Sequence, residues 1–249
     1  MTEFVEYPNL PEKECGVVIS GGLYEKAKSE LELLGVTVIT PSQEPNLNDS
    51  LNLHADLSFS YLGRGEAIVS RAQERLKNSF LSIGGKILGE EDIGAVYPLD
   101  VPLNALFAGN RLFCNKKHIS HHILKYCVDR NIKIYHINQG YSKCSVCIVS
   151  RDSVITEDRG VYEAFRAAGE CDVLLISPGF VDLPSYDRGF IGGCCGKISK
   201  DVLVFNGKIE DHPDYTNIKA FCRNQNVEPY SLTDDRLFDN GGIIPLVYQ

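Results

Sequence analysis

The sequence lacks any apolar run approaching the roughly 20 residues a helix needs to cross a bilayer. That excludes a helical membrane span, and no membrane partner is expected. Its start, Met1-Thr2-Glu3-Phe4-Val5-Glu6, is acidic and has no apolar signal core, so a cytoplasmic location is the expectation. No stretch is densely basic, and the net charge is −8. Phosphate backbones are gripped by clustered Lys and Arg, so nucleic acid is not expected as a partner. A cationic small molecule suits the charge better. No Ser/Gly/Pro-rich linker or block of charge divides the 249 residues, which therefore read as one domain, 1–249. The cysteines do not form an even set: there are nine, scattered through predicted strands and helices. That usage suits buried or reactive thiols in a reducing compartment rather than a disulfide framework.

What the chain does have is a repeat. A short apolar run, an amphipathic helix, a second apolar run, a polar turn and an alternating strand recur five times. Unit one runs from Gly16–Ile19 through the helix Leu23–Leu34 and Val36–Ile39 to Leu53–Tyr61. Unit two has Ala67–Val69, Ala72–Ile83, Lys86–Leu88 and Leu103–Ala108. Unit three has Arg111–Cys114, His121–Asp129, Ile132–Ile137 and Cys144–Val149. Unit four has Ser153–Thr156, Val161–Ala168, Val173–Ile176 and Gly189–Ile198. Unit five has Val202–Phe205, Tyr215–Arg223, Val227–Tyr230 and Gly242–Val247. A period of roughly 40–50 residues signals an array or a ring. One such unit cannot bury both its helix face and its strands, so neighbours must cover them. No polar capping unit stands at either end, which predicts closure. The expected fold is an α/β, five-bladed α/β propeller of five pseudo-symmetric repeats, strands inward and helices outward. An open α/β sheet with coincidental spacing is the bland alternative.

Two segments carry candidate chemistry. Leu53-His54-Ala55-Asp56-Leu57-Ser58-Phe59 reads as an alternating strand, in which residues two apart share a face. His54 and Asp56 then point together, into the hollow of a ring. His moves protons near neutral pH, and Asp holds a cation or orients a substrate. An ordinary polar strand edge would give the same letters. Gly140–Val149 reads as the last strand of unit three, with Cys144 a nucleophile if a nearby cation or His lowers its pKa. A free cysteine is more commonly a small buried hydrophobe.

Together the two segments resemble the pentein, or amidinotransferase-like, superfamily, which includes dimethylarginine dimethylaminohydrolases, arginine deiminases and agmatine deiminases, as well as a non-enzymatic ribosome anti-association factor. His54-Ala55-Asp56 resembles the deiminase His-x-Asp, Tyr97–Ala105 the segment one unit later, and Lys143-Cys144-Ser145-Val146 the nucleophile strand. The resemblance implies Cys144 and His54 as catalytic residues and Asp56, Asn104, Asp239 and Asn240 as substrate-binding ones, with no cofactor and no metal. Two features depart from the family. Two units follow the nucleophile, which reads as a circular permutation and requires unit five to lead into unit one. The family's acidic-Gly-Gly-Asp motif falls on Asp239-Asn240-Gly241-Gly242-Ile243, and another substrate-binding Asp is replaced within Ile191-Gly192-Gly193-Cys194. A buried guanidinium needs carboxylate partners, so either another substrate is used or another acid substitutes. Glu157 and Asp158 are the candidates, unless they are only a solvated helix start.

Three weaker constellations complete the reading. His118, His121 and His122 have helical spacing that could hold a metal but reads first as a polar helix start. Cys194-Cys195 could be a redox or soft-metal pair, although neighbours on a strand point oppositely. Gly21-Gly22 precedes a helix without a fuller phosphate fingerprint. The functional expectation is a cysteine-dependent hydrolase or transferase acting on a guanidino, amidino or related C–N centre through a covalent thioether. The competing expectations are a non-catalytic pentein that binds a partner, and a thiol redox or metal protein.

Overall fold

A computed structural model describes residues 2–22, 25–169 and 171–249. After an N-terminal segment come β1 (Cys15–Ser20), α1 (Glu25–Leu33) and β2 (Thr37–Ile39). A one-turn helix α2 (Ala55–Ser58) leads into β3 (Phe59–Gly63), β4 (Glu66–Ser70), α3 (Glu74–Ser82) and β5 (Lys86–Glu91). The same order returns in β6 (Leu106–Phe107), β7 (Arg111–Cys114), α4 (His121–Asp129) and β8 (Lys133–His136). It returns again in β9 (Val146–Ser150), β10 (Ser153–Thr156), α5 (Arg159–Ala168) and β11 (Asp172–Leu175). A 3-10 turn, Ile191–Cys194, precedes β12 (Cys195–Lys197), β13 (Val202–Phe205), α6 (Tyr215–Arg223) and β14 (Glu228–Ser231), and β15 (Ile243–Tyr248) ends the chain.

These strands form five three-stranded sheets among the described residues. In four of them a strand pairs antiparallel with the next, which pairs parallel with a third after a helical crossover. Parallel neighbours need such a crossover, which is why each unit contains a helix. The remaining sheet is completed from both ends of the chain: β15 lies antiparallel to β1, with Ile19 opposite Ile244. Unit five thus leads into unit one, as the repeat required. The five-bladed α/β propeller of the pentein fold is the observed architecture. The blades are cut one strand away from the sequence repeat, because the strand that ends each unit pairs with the following one.

The helices stand where their apolar faces demand. In α5, Val161 and Phe165 are buried one turn apart. Asp158 caps its start, accepting from the Val161 amide at 2.9 Å, and Gly169 ends it in the left-handed region at φ +67°. Phe165 stacks on Phe113 of β7 with ring centres 4.0 Å apart, so a helix of one blade covers a strand of its neighbour. The predicted helix start at Leu23 lies outside the described residues.

The N-terminal segment crosses the far end of the ring. The Val5 amide donates to Leu246 O at 2.8 Å, Tyr61 Oη donates to Val5 O at 2.6 Å, and Asn9 Nδ2 donates to Phe107 O at 3.4 Å. Pro8 and Asn9 share with Asp56, Phe59 and Lys143 the lining of a small central void of about 20 Å³.

Three local expectations are corrected. His54 and Asp56 are not on a strand: His54 is extended, at φ −65° and ψ 122°, and Asp56 lies in the first turn of α2. Leu53 and Leu57 sit four apart, a helical spacing as much as an alternating one. Cys144 lies in the turn before β9, which starts only at Val146. Within Gly189–Ile198, only Cys195–Lys197 is strand.

Candidate active site

Three turns, each at the start of a blade's first strand, meet at one point. The turn from Val101 to Asn104, closed by Asn104 N to Val101 O at 3.0 Å, delivers the Asn104 side chain. Asn104 Oδ1 accepts from the amides of Lys143 at 2.7 Å and Cys144 at 3.3 Å, and Asn104 Nδ2 donates to Cys144 Sγ at 3.2 Å. One amide therefore fixes both the backbone and the sulfur of the Cys144 turn. The thiol donates to Asp56 Oδ2 at 2.8 Å. The ligating atoms of His54, Asp56 and Cys144 all lie within 4.8 Å of one another. The structure thus brings together four of the residues predicted from sequence: His54, Asp56, Asn104 and Cys144.

Asp239 joins them. Its carboxylate accepts from Phe190 N at 2.9 Å and Gly241 N at 3.1 Å, and Oδ1 lies 3.7 Å from His54 Nδ1. Gly193 makes room: a Cβ there would stand 2.0 Å from Asp239 Oδ1. Asn240 turns away, its Nδ2 donating to Ser20 Oγ at 3.1 Å, and it does not line the pocket above Cys144. That pocket, about 350 Å³, is walled by His54, Cys144, Tyr141, Tyr186, Phe190 and Asp239, with Leu51, Leu183, Asp187 and Arg188 completing it.

The charges are unusual for so enclosed a place. Burial pushes the Asp56 carboxyl above its ordinary range; Lys143 and His54 oppose this and Asp239 adds to it. Burial also raises the Cys144 thiol well above its ordinary value, reinforced by the charges of Asp56 and Asp239. The thiol at rest is therefore protonated. Glu157 is pushed up to about 7, chiefly by burial, against the pull of Arg188. Both Glu157 oxygens, both His54 nitrogens and Asp56 Oδ1 are buried without a hydrogen-bond partner among the described residues. Of the two candidate replacement acids, Asp158 is occupied as the cap of α5 and as acceptor from Gln139 Nε2 at 2.8 Å, whereas Glu157 is uncommitted.

Lys143, Tyr141, Arg188 and Phe190 had no signal in the sequence. Lys143 is buried, with Nζ donating to Gly192 O at 3.1 Å, yet beside a cysteine in a Gly/Ser-rich stretch it reads as an exposed turn residue. No disulfide joins the cysteines among the described residues, and Cys147, Cys194 and Cys195 are buried in the core between β9 and β13. A larger groove of about 550 Å³ lies at the opposite ends of β9 and β12. Its buried Lys197, lowered to about 8 by desolvation, is engaged by Val149 O and Lys200 O. Volume alone thus does not mark the chemistry; the convergence of thiol, imidazole and carboxylates does. His54, Asp56 and Cys144 are also a donor set that could take a zinc ion.

The sequence profile described as "Family of unknown function (DUF6873)" matches residues 18–244. The chain belongs to the DUF6873 family. No curated protein sequence matches this DUF6873 member significantly. Solved structures do resemble it. An inosamine-phosphate amidinotransferase from Streptomyces griseus is 10% identical, covering 94% of this chain and 92% of its own, with a TM-score of 0.56. The agmatine deiminase of C. jejuni is 10% identical, covering 92% and 90%, with a TM-score of 0.54. A dimethylarginine dimethylaminohydrolase (DDAH) from Pseudomonas aeruginosa is 7% identical, covering 89% and 93%, with a TM-score of 0.53. At such identity the likeness is one of fold, and that fold is the pentein propeller.

Proposed function

We propose that this protein is a cysteine-dependent enzyme that cleaves or transfers a C–N bond of a cationic guanidino or amidino compound. The observation that carries the reading is the Cys144 thiol, held by Asn104 and Asp56 at the base of a pocket, with the unpartnered His54 imidazole and the Asp239 carboxylate beside it. The named activities of the fold neighbours, amidinotransferase and agmatine deiminase among them, support the same class.

The chemistry follows from the charges. A guanidinium entering beside Asp56 and Asp239 offsets the negative charge that holds the thiol proton in place, and so favours ionisation. Sγ attacks the trigonal carbon while its proton passes to the adjacent base. His54 donates a proton to the departing amine, leaving an amidino-thioether on Cys144. His54 then takes a proton from water, which adds to the thioether carbon, and the thiol leaves with its proton restored. An amine in place of that water would make the reaction a transfer. Asp239, which lines the pocket, offers a carboxylate to the substrate's N–H groups, and the charge of Asp56 acts from beside Cys144, where it borders the small central void.

The test is turnover of a panel of guanidino and amidino compounds by the wild-type chain, Cys144→Ser and His54→Ala, with amine release and acceptor transfer both measured. Loss of about a thousandfold or more in Cys144→Ser is expected. Turnover that survives that substitution removes the thiol from the mechanism. A second reading, a pentein that binds without catalysing, is favoured by one observation: Cys144 is only 2% exposed. A haloacetamidine that alkylates Cys144 faster than a neutral haloacetamide does would decide against it.

A further inference from the structure

At the boundary between the second and third blades, three metal-ligating side chains meet on the outer surface, away from Cys144. Glu91 ends β5, and His121 and His122 begin α4. Their ligating atoms all lie within 4.8 Å of one another. His121 Nδ1 is 3.8 Å from Glu91 Oε1, and the two imidazole rings lie 3.9 Å apart, tilted by 37°. Sequence neighbours on a helix ordinarily diverge by about 100°. Here both rings turn toward one carboxylate.

The local structure holds them there. The Ser120 hydroxyl caps α4, accepting from the His122 amide at 3.1 Å, and donates to Glu91 Oε1. That hydroxyl is an outer partner that orients the carboxylate, an arrangement that recurs around metal-binding carboxylates. Gly89 leaves space for the His122 ring; a Cβ there would stand 2.7 Å from its Cγ. Glu91 and His122 are half-buried and His121 is exposed, so the donors face solvent and are open to an ion.

We propose that Glu91, His121 and His122 form a divalent transition-metal site that ties the second blade to the third. Two imidazole nitrogens and one carboxylate oxygen match zinc, with a fourth tetrahedral position left for water. They are a poor match for calcium or magnesium, which demand oxygen ligands. The ion would join a strand end and a helix start that are otherwise connected by the Ser120–Glu91 hydrogen bond and non-covalent packing. Its role is structural, and the site stands independently of the function proposed for Cys144.

Titrating the chelator-treated full chain with zinc, against a chromophoric competitor, tests this. The His54, Asp56 and Cys144 donor set is controlled for by running Cys144→Ser in parallel. One equivalent is expected to bind to the wild-type chain and to Cys144→Ser with equal affinity. His121→Ala, His122→Ala and Glu91→Gln are each expected to weaken binding tenfold or more while the circular dichroism spectrum stays unchanged. Zinc should raise the melting temperature of the wild-type chain and of Cys144→Ser, but of none of the three surface variants. No zinc uptake, uptake undiminished in all three surface variants, or loss of binding only in Cys144→Ser would each overturn the proposal.

Discussion

Replacing Asp56 by Asn separates two roles that a carboxylate beside a nucleophile can play, because the structure predicts opposite signs for two measurable quantities. In the wild-type chain the Asp56 charge and its hydrogen bond to Sγ both raise the Cys144 thiol, on top of burial. Asn keeps the shape and removes the charge. The sulfur lies 2.8 Å from Oδ2. Two unit charges at that separation interact by about 6 kcal/mol at an effective dielectric of 20. Removing that charge and its hydrogen bond therefore lowers the Cys144 thiol toward its ordinary range. Thiolate at Cys144 should then be about ten times or more as abundant at pH 8 in Asp56→Asn, with a matching rise in alkylation by iodoacetamide. Catalysis should move the other way if the proposed function holds, since the carboxylate beside the nucleophile is gone; a loss of about a hundredfold or more in kcat/KM is expected. Peptide mass spectrometry separates Cys144 from the half-buried Cys171 and the seven other, buried cysteines. Slower or unchanged alkylation of Cys144 in Asp56→Asn would refute the charge argument, whatever happens to turnover.

Two further substitutions probe the surroundings of the pit. Glu157 is raised to about 7 from an ordinary 4.5, so the folded chain holds its proton more tightly than the unfolded chain does. Stability is therefore lost as pH climbs from about 4.5 through 7, by up to about 3 kcal/mol, and Glu157→Gln should melt higher than the wild-type chain at pH 8 and alike at pH 4. An equal difference at both pH values would count against a buried, proton-holding Glu157. Gly193→Ala should displace the Asp239 carboxylate, whose Oδ1 would lie 2.0 Å from the new Cβ, and lower kcat/KM at least tenfold in a chain that remains folded. Full activity in that variant would show that Asp239 is not needed where it stands.

The ring was legible because its cause is spread over the whole chain. Five apolar-run, helix, apolar-run patterns each leave a face uncovered, and β15 closing on β1 is the consequence. The cut between blades was not legible, since a strand's partner is set by pairing across a turn rather than by its own letters. The site was legible in part. His54, Asp56 and Cys144 are named by chemistry and spacing, and they converge even though the first two sit at a helix start and not on a strand. Asn104 was found through its likeness to a family segment, while Asn240, adjacent to Asp239, turns to Ser20 instead. Lys143, Tyr141 and Arg188 lie in turns and loops without periodicity, and nothing in their neighbours signals a buried amine or a pocket wall. Glu157 against Asp158 could not be decided from two adjacent acids at a helix start. The cap hydrogen bond to Val161 decides it.

That decision bears on which substrate the pit can hold. Asn240 supplies no charge to the pit, and on that ground alone guanidinium recognition would be weakened. The three-dimensional count differs. Glu157 lies close enough to Asp239 and Arg188 for their charges to act on it, while the Lys143 amine donates to Gly192 O and Arg188 is exposed at the pocket mouth. Asp56 Oδ1 and both Glu157 oxygens remain unpartnered. Below about pH 7 Glu157 carries its proton and adds no charge beside Asp239. Above it Glu157 adds a negative charge near Asp239, which favours a guanidinium in the adjoining pocket. Affinity for a cationic substrate should therefore rise as pH passes through 7 in the wild-type chain, through Glu157 ionisation. The same rise should be absent from Glu157→Gln, whose neutral amide can accept a hydrogen bond but cannot supply the missing charge.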